Sequence, residues 1–258
     1  MVNAEDFLGK KIFFLFPHAV VQNRIMEELI QQEFEVYTVK EPLPLRRVLK
    51  KHPNSLVFGN VYEGMSEKEW ENWILGVMKD PVTQKTGIGL ICSGEDDGLR
   101  DKYLNKVKIN CGYTIVRADL LVTLKELFEI LKTTDAKGRR KFIRAAMDRD
   151  SNAKINLPVR GNYINGIIKD ISAAGFSCTL DEDHDLTRNS LFQDIQVRLG
   201  AAILKTEGIV FGSRNEGTEK VHVILFTQRV DPDSRAKIRT FIQSSLQIKL
   251  NEELKRGG

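Results

Sequence analysis

GRRKFIRAAM, residues 138–147, is the seam of the chain. Ahead of it, short apolar runs alternate with amphipathic helical stretches. Behind it, from about residue 150, β-rich runs follow one another with glycines between them. Four basic side chains, Arg139, Arg140, Lys141 and Arg144, crowd around Phe142 and Ile143 without the interspersed acids of a solvated helix face. Taken alone, the stretch fits either a basic connector or a device that holds an anion.

Upstream, KIFFLF, FEVYTV, SLVFGNV, IGLIC and GYTIV read as five short strands. Between and after them, AVVQNRIMEELIQQ, PLRRVLKKH, SEKEWENWILGVMKD, LRDKYLNKVK and DLLVTLKELFEILK carry apolar residues at helical spacing. Ser66 with Glu69 forms a capping box, and Trp70, Trp73, Ile74 and Val77 make one apolar stripe, read as core. Strands alternating with helices imply a doubly wound parallel five-stranded sheet, because each parallel crossover needs a helix. In length and order, residues 1–134 resemble a response-regulator receiver domain. That family carries an acidic pair after strand one, a phosphoacceptor Asp after strand three and a Lys after strand five. Here those places hold Pro17-His18, Gly59-Asn60 and Arg117, and only Ser93 after strand four agrees. Without the carboxylates no oxygen ligands are offered to Mg²⁺. The half is therefore read as a pseudo-receiver that docks a protein partner.

Downstream, NLPVRGNYINGIIKDIS, AAGFSCTL, DIQVRLGAAILKTEGIVFGSR and KVHVILFT read as strands of an antiparallel barrel, with a turn at RNEGTE. A last helix begins at Pro232 and presents Ile238, Phe241, Ile242 and Leu246 to that barrel. TTDAKG at 133–138 reads as the connector, which places the second domain at 135–258.

Composition narrows the classes of function. The 258 residues are 41% hydrophobic and 29% charged with a net charge of +4, so any affinity for nucleotides must come from local clusters. Three scattered cysteines, Cys92, Cys111 and Cys178, fit reduced thiols in a cytoplasmic protein. No apolar run reaches membrane-spanning length. His18, His52, His184 and His222 lack metal-ligand spacing; the acidic loop DEDHD at 181–185 reads as solvated, so no metal is expected. Neither a phosphate-binding loop nor a nucleophile–base pair can be assembled from spacing, and an enzyme is not expected.

Arg140 and Arg144 form an R-x-x-x-R pair, whose planar forks suit phosphate oxygens and guanine edges. The spacing alone is not decisive, since Arg235 and Arg239 in RAKIR repeat it on what reads as a solvated helix face. In DISAAG, Asp170 offers acceptors for a guanine N1–H and amine, Ser172 a hydroxyl, and Gly175 close backbone approach; alone the hexapeptide is also an ordinary turn.

Together and in this order, the two motifs resemble the PilZ domain, the bacterial receptor module for cyclic di-GMP. The likeness covers about residues 137–250 and implies a six-stranded antiparallel barrel with a closing helix and the arginine segment wrapped over the dinucleotide. It implies that Arg140 and Arg144 hold phosphates and guanine edges while Asp170, Ser172 and Gly175 line the other side. In that family an Arg before the first motif arginine accompanies an intercalated ligand dimer, which would give Arg139 a second cyclic di-GMP molecule. The two-domain layout resembles spirochaetal PilZ proteins. The function so implied is a non-catalytic cyclic di-GMP receptor that reorients its domains toward a partner controlling motility, adhesion or virulence. Two alternatives stand beside it: a nucleic-acid-binding regulator using KGRRKFIR and RRVLKK, and a phosphorelay response regulator.

Overall fold

The computed structural model describes residues 9–148, 152–159, 161–181 and 184–256. The chain divides into two compact units, one of residues 1–141 with 247–258 and one of residues 142–246.

The first unit is built on a parallel sheet of β1 (Ile12–Leu15), β2 (Val36–Val39), β3 (Leu56–Gly59), β4 (Gly87–Cys92) and β5 (Tyr113–Ile115), in the order β2-β1-β3-β4-β5. Every residue of β1 is fully buried, as a strand covered on both faces requires. The helices are α1 (Met26–Gln31), α2 (Pro42–Lys51), α3 (Glu67–Lys79), α4 (Asp97–Asp101) and α5 (Leu120–Thr133). The expected helices around α1 and α4 are not regular throughout, because π-helical turns at Val21–Ile25 and Lys102–Val107 adjoin them. The first of these keeps both Val21 and Ile25 out of water.

Helix α3 starts with the capping box of Ser66 and Glu69 read from sequence. Trp70 and Trp73 are core, and each indole N–H is satisfied, on Glu63 O at 3.0 Å and Pro42 O at 2.9 Å. Burying such side chains contributes on the order of 2 kcal/mol each, and only because the N–H has a partner.

The expected connector at 133–138 begins within the first unit. Ala136 N donates to Leu131 O and Asp135 N to Lys132 O, with Asp135 at φ 50°, so these residues cap α5. Ala136 is 1% exposed, and its carbonyl accepts from Lys10 N at 2.8 Å.

The second unit contains β6 (Arg144–Ala146), β7 (Ala153–Val159), β8 (Asn162–Ser172), β9 (Gly175–Leu180), β10 (Leu191–Leu199), β11 (Ala202–Glu216) and β12 (Glu219–Phe226). Strands β7 to β12 close a six-stranded antiparallel barrel, β7-β8-β9-β12-β11-β10 and back to β7. Strand β6 is added outside that ring, antiparallel to the end of β8. Ile155, Leu157, Ile168, Ile171, Phe176, Ile195, Val197 and Ile224 fill the interior.

Helix α6 (Pro232–Lys255) lays Ile238 and Ile242 into this core, with Phe241 and Leu246 beside them, as the sequence pattern implies. From Gln247 onward α6 counts with the first unit, where the Gln247 amide accepts from Thr38 N at 2.9 Å and donates to Thr38 O at 3.0 Å. It thereby satisfies backbone on the sheet's edge strand, which would otherwise stay open for pairing. No helix among the described residues is long and apolar enough to cross a membrane.

Candidate functional site

A β-bulge prepares the site. The register of β8 against β9 shifts between Ile168 and Asp170, with Lys169 as the extra residue. Ile168 and Ile171 are three positions apart and both fully buried, which strict alternation forbids. By resetting the phase, the bulge puts Asp170 and Ser172 together on the outer face. The Lys169 ammonium pairs with Glu219.

Two register rows then cross four strands on that outer face. One runs Val223, Ser177, Asp170, Ala146 and the other Leu225, Gly175, Ser172, Arg144. Residues from the two sequence motifs, 26 positions apart between Arg144 and Asp170, are thus neighbours across the β6–β8 ladder. An Arg144 Nη1 lies 3.9 Å from Asp170 Oδ1, and the Arg144 side chain is 60% exposed. At that separation the pair holds the guanidinium loosely and leaves most of its fork facing solvent.

Asp170 accepts a hydrogen bond from the Ser177 hydroxyl through its other oxygen, Oδ2. Ser172 is buried, and its hydroxyl serves the turn. Its Oγ accepts from Ala174 N at 3.3 Å and donates to Gly175 O at 3.2 Å. Gly175 has no room for a side chain, since a Cβ there would come within 2.2 Å of Ile224 O. Gly175 is paired between Ser172 on β8 and Leu225 on β12, the latter 39% exposed.

Arg139 and Arg140 are exposed on the segment leading into β6, and Ile143 packs against the barrel core. Two motif arginines therefore enter differently. Arg144 is fixed by strand pairing, whereas Arg140 sits ahead of the strand.

Sequence reasoning missed Ser177 and misjudged Arg235. The expected solvated helix face is corrected here: Arg235 Nη1 donates to Ala173 O at 3.2 Å, Nη2 to Thr227 O at 2.7 Å and Nε to Val230 O at 3.2 Å. An i, i+4 spacing reports which helix side a residue occupies but not which loop it meets.

Part of the basic run at 46–52 lies near acids. Arg46 and Lys50 lie 4.0 and 3.5 Å from Asp80, and Lys51 and His52 lie 3.0 and 3.7 Å from Glu253. Where a receiver would carry its phosphoacceptor, the Asn60 amide is buried and accepts from Tyr62 N at 3.3 Å. Among the described residues no group of three or more His, Cys, Asp or Glu is placed to hold a metal. Glu182 and Asp183 of the acidic loop lie outside the described residues.

No family model matches the sequence, and no curated protein matches it. Solved structures do. The chain is similar to the PilZ domain of YcgR from Escherichia coli, with c-di-GMP (16% identity, 45% of this chain and 98% of that chain, TM-score 0.38). It is also similar to the K. pneumonia MrkH–c-di-GMP complex (17%, 48% and 57%, 0.38) and to the PlzA protein of Borreliella burgdorferi in complex with c-di-GMP (16%, 48% and 47%, 0.29). The matches span about half the length of the latter two proteins.

Proposed function

We propose that the chain is a non-catalytic receptor for cyclic di-GMP, read out through a protein partner. The observation that carries this reading is the outward convergence of Arg144, Asp170, Ser172 and Gly175 on adjacent strands, with Arg139 and Arg140 on the segment just ahead. An anionic dinucleotide needs guanidinium forks for its phosphates and a carboxylate for a guanine edge, and this face offers both. Gly175 lets β9 pair closely with β12 beside Ser172, because a Cβ there would meet Ile224 O.

In this reading residues 135–258 form the ligand-binding domain. Arg140 and Arg144 hold phosphate and guanine edges, Asp170 accepts from a base, and Ser172 and Gly175 shape the floor. Arg139 takes a second cyclic di-GMP molecule. Residues 1–134 act as a pseudo-receiver that docks the partner, and closure of the arginine segment reorients the two domains. No metal takes part.

Isothermal titration with cyclic di-GMP tests it, reporting affinity and stoichiometry. Saturable binding at up to two molecules per chain is expected, with Arg140→Ala weaker by roughly ten- to a hundred-fold. Equal binding by Arg140→Ala, or none by the wild type, overturns the reading.

A further inference from the structure

The turn that carries Ser172 and Gly175 is held from outside by a residue no motif includes. Ala173, at its tip, is fully buried, and its carbonyl oxygen accepts from Arg235 Nη1. The same guanidinium binds Thr227 O, just past the end of β12, and Val230 O, just before α6. One planar group thus ties the turn to the connection between β12 and α6. Ala174 O, the next carbonyl, accepts from Phe226 N at 2.9 Å, so the turn and the end of β12 are pinned at consecutive peptides. Asp231 caps the helix start by accepting from Ser234 N at 2.8 Å, which fixes the backbone from which Arg235 reaches.

We infer that Arg235 is a positioning residue for the ligand face: its fork sets the height and tilt of the Ser172–Gly175 turn and transmits any movement of that turn to the start of α6. The inference rests on the cyclic di-GMP reading for its ligand but not for its geometry. Arginine is needed because three carbonyls from two segments, the Ser172–Gly175 turn and the β12–α6 connection, lie around one rigid five-donor plane. Lysine brings a single nitrogen and cannot span them. Arg235 does not join the outer-face rows that make up the ligand face, so its effect must pass through Ala173.

The test uses the full chain with Arg235→Gln, Arg235→Lys and, as a stability control from the same helix, Ile238→Val. Hydrogen exchange without ligand is expected to show Arg235→Gln losing protection around Ala174 and Phe226 while α6 keeps its own. Unchanged exchange there overturns the inference whether or not any ligand binds. Titration with cyclic di-GMP is expected to show roughly ten-fold weaker binding for both Arg235 variants. Ile238→Val is expected to bind like wild type at a comparably lowered melting temperature. If the control loses as much affinity, or Arg235→Lys binds like wild type, the role is general stability and the inference fails. Absence of binding by the wild type would sink the receptor reading and leave the exchange result to decide this one.

Discussion

Asp170 and Ser177 face each other across the β8–β9 ladder, and the Ser177 hydroxyl donates to an Asp170 carboxylate oxygen. That bond orients the carboxylate and leaves Oδ1 toward Arg144. Hydrogen bonds to charged groups are worth about 1.5–3 kcal/mol. On the receptor reading, Asp170→Asn, which keeps an acceptor for Ser177 but removes the charge, is expected to weaken cyclic di-GMP binding by at least about ten-fold. Ser177→Ala should weaken it less, because the carboxylate stays but turns more freely. Titration of both variants beside thermal melts checks this, and a Ser177→Ala loss larger than that of Asp170→Asn would contradict it.

Gly175→Ala is expected to cost about 1–3 kcal/mol of stability, since the new methyl would press on the β12 backbone and push β9 away from it. Gly212→Ala is the comparison: nothing lies within 4 Å of a Cβ there. Urea denaturation should show the first variant destabilised and the second near neutral.

Much of this is legible in the sequence. The strand–helix alternation, the capping box at Ser66, the core role of Trp70 and Trp73 and the barrel face of α6 all follow from periodicity, which is a local signal. What escaped is non-local. Strand β6 is three residues, Arg144–Ala146, with no alternation long enough to see; only its partner on β8 makes it a strand. The bulge at Lys169 changes which residues share a face, and no residue type announces it. Arg235 looks identical to Arg239 until Ala173 O is placed near it, and Gln247 finds Thr38 across 209 positions.

The three cysteines are buried, and burial pushes their thiols up, Cys111 to about 11 and Cys178 to about 12. Cys92 is raised as well, again chiefly by burial. Thiolate is the reactive form, so none should react at neutral pH in the folded chain. Labelling with a thiol reagent at pH 7.5 is expected to be negligible before unfolding and to reach three groups per chain in denaturant. Rapid labelling of the native protein would refute this.

His52 is half-buried, and its pKa lies below the ordinary value of 6.5, chiefly because burial disfavours the cation and secondarily because of Lys11, against the opposing pull of Glu253. Its folded value is depressed relative to the unfolded chain, so the unfolded state binds the proton more readily. The His52 contribution is fully retained above about pH 6.5 and declines as pH falls through the interval below it. Chemical denaturation between pH 5 and 7.5 should show stability rising with pH, and His52→Gln should flatten that slope. An unchanged slope in the variant would assign the effect elsewhere.

The α5 cap ends at Ala136 and strand pairing begins at Arg144, so the segment from Gly138 to Ile143 is a short tether clamped at both ends. Chain-closure entropy grows only slowly with length, and here it is already spent when the protein folds. Arg139 and Arg140 are thus carried on a segment whose two ends are held by backbone hydrogen bonds, which limits the volume their guanidinium groups sample. Lengthening the tether with glycine and serine would leave both ends paired while widening the volume that each arginine samples.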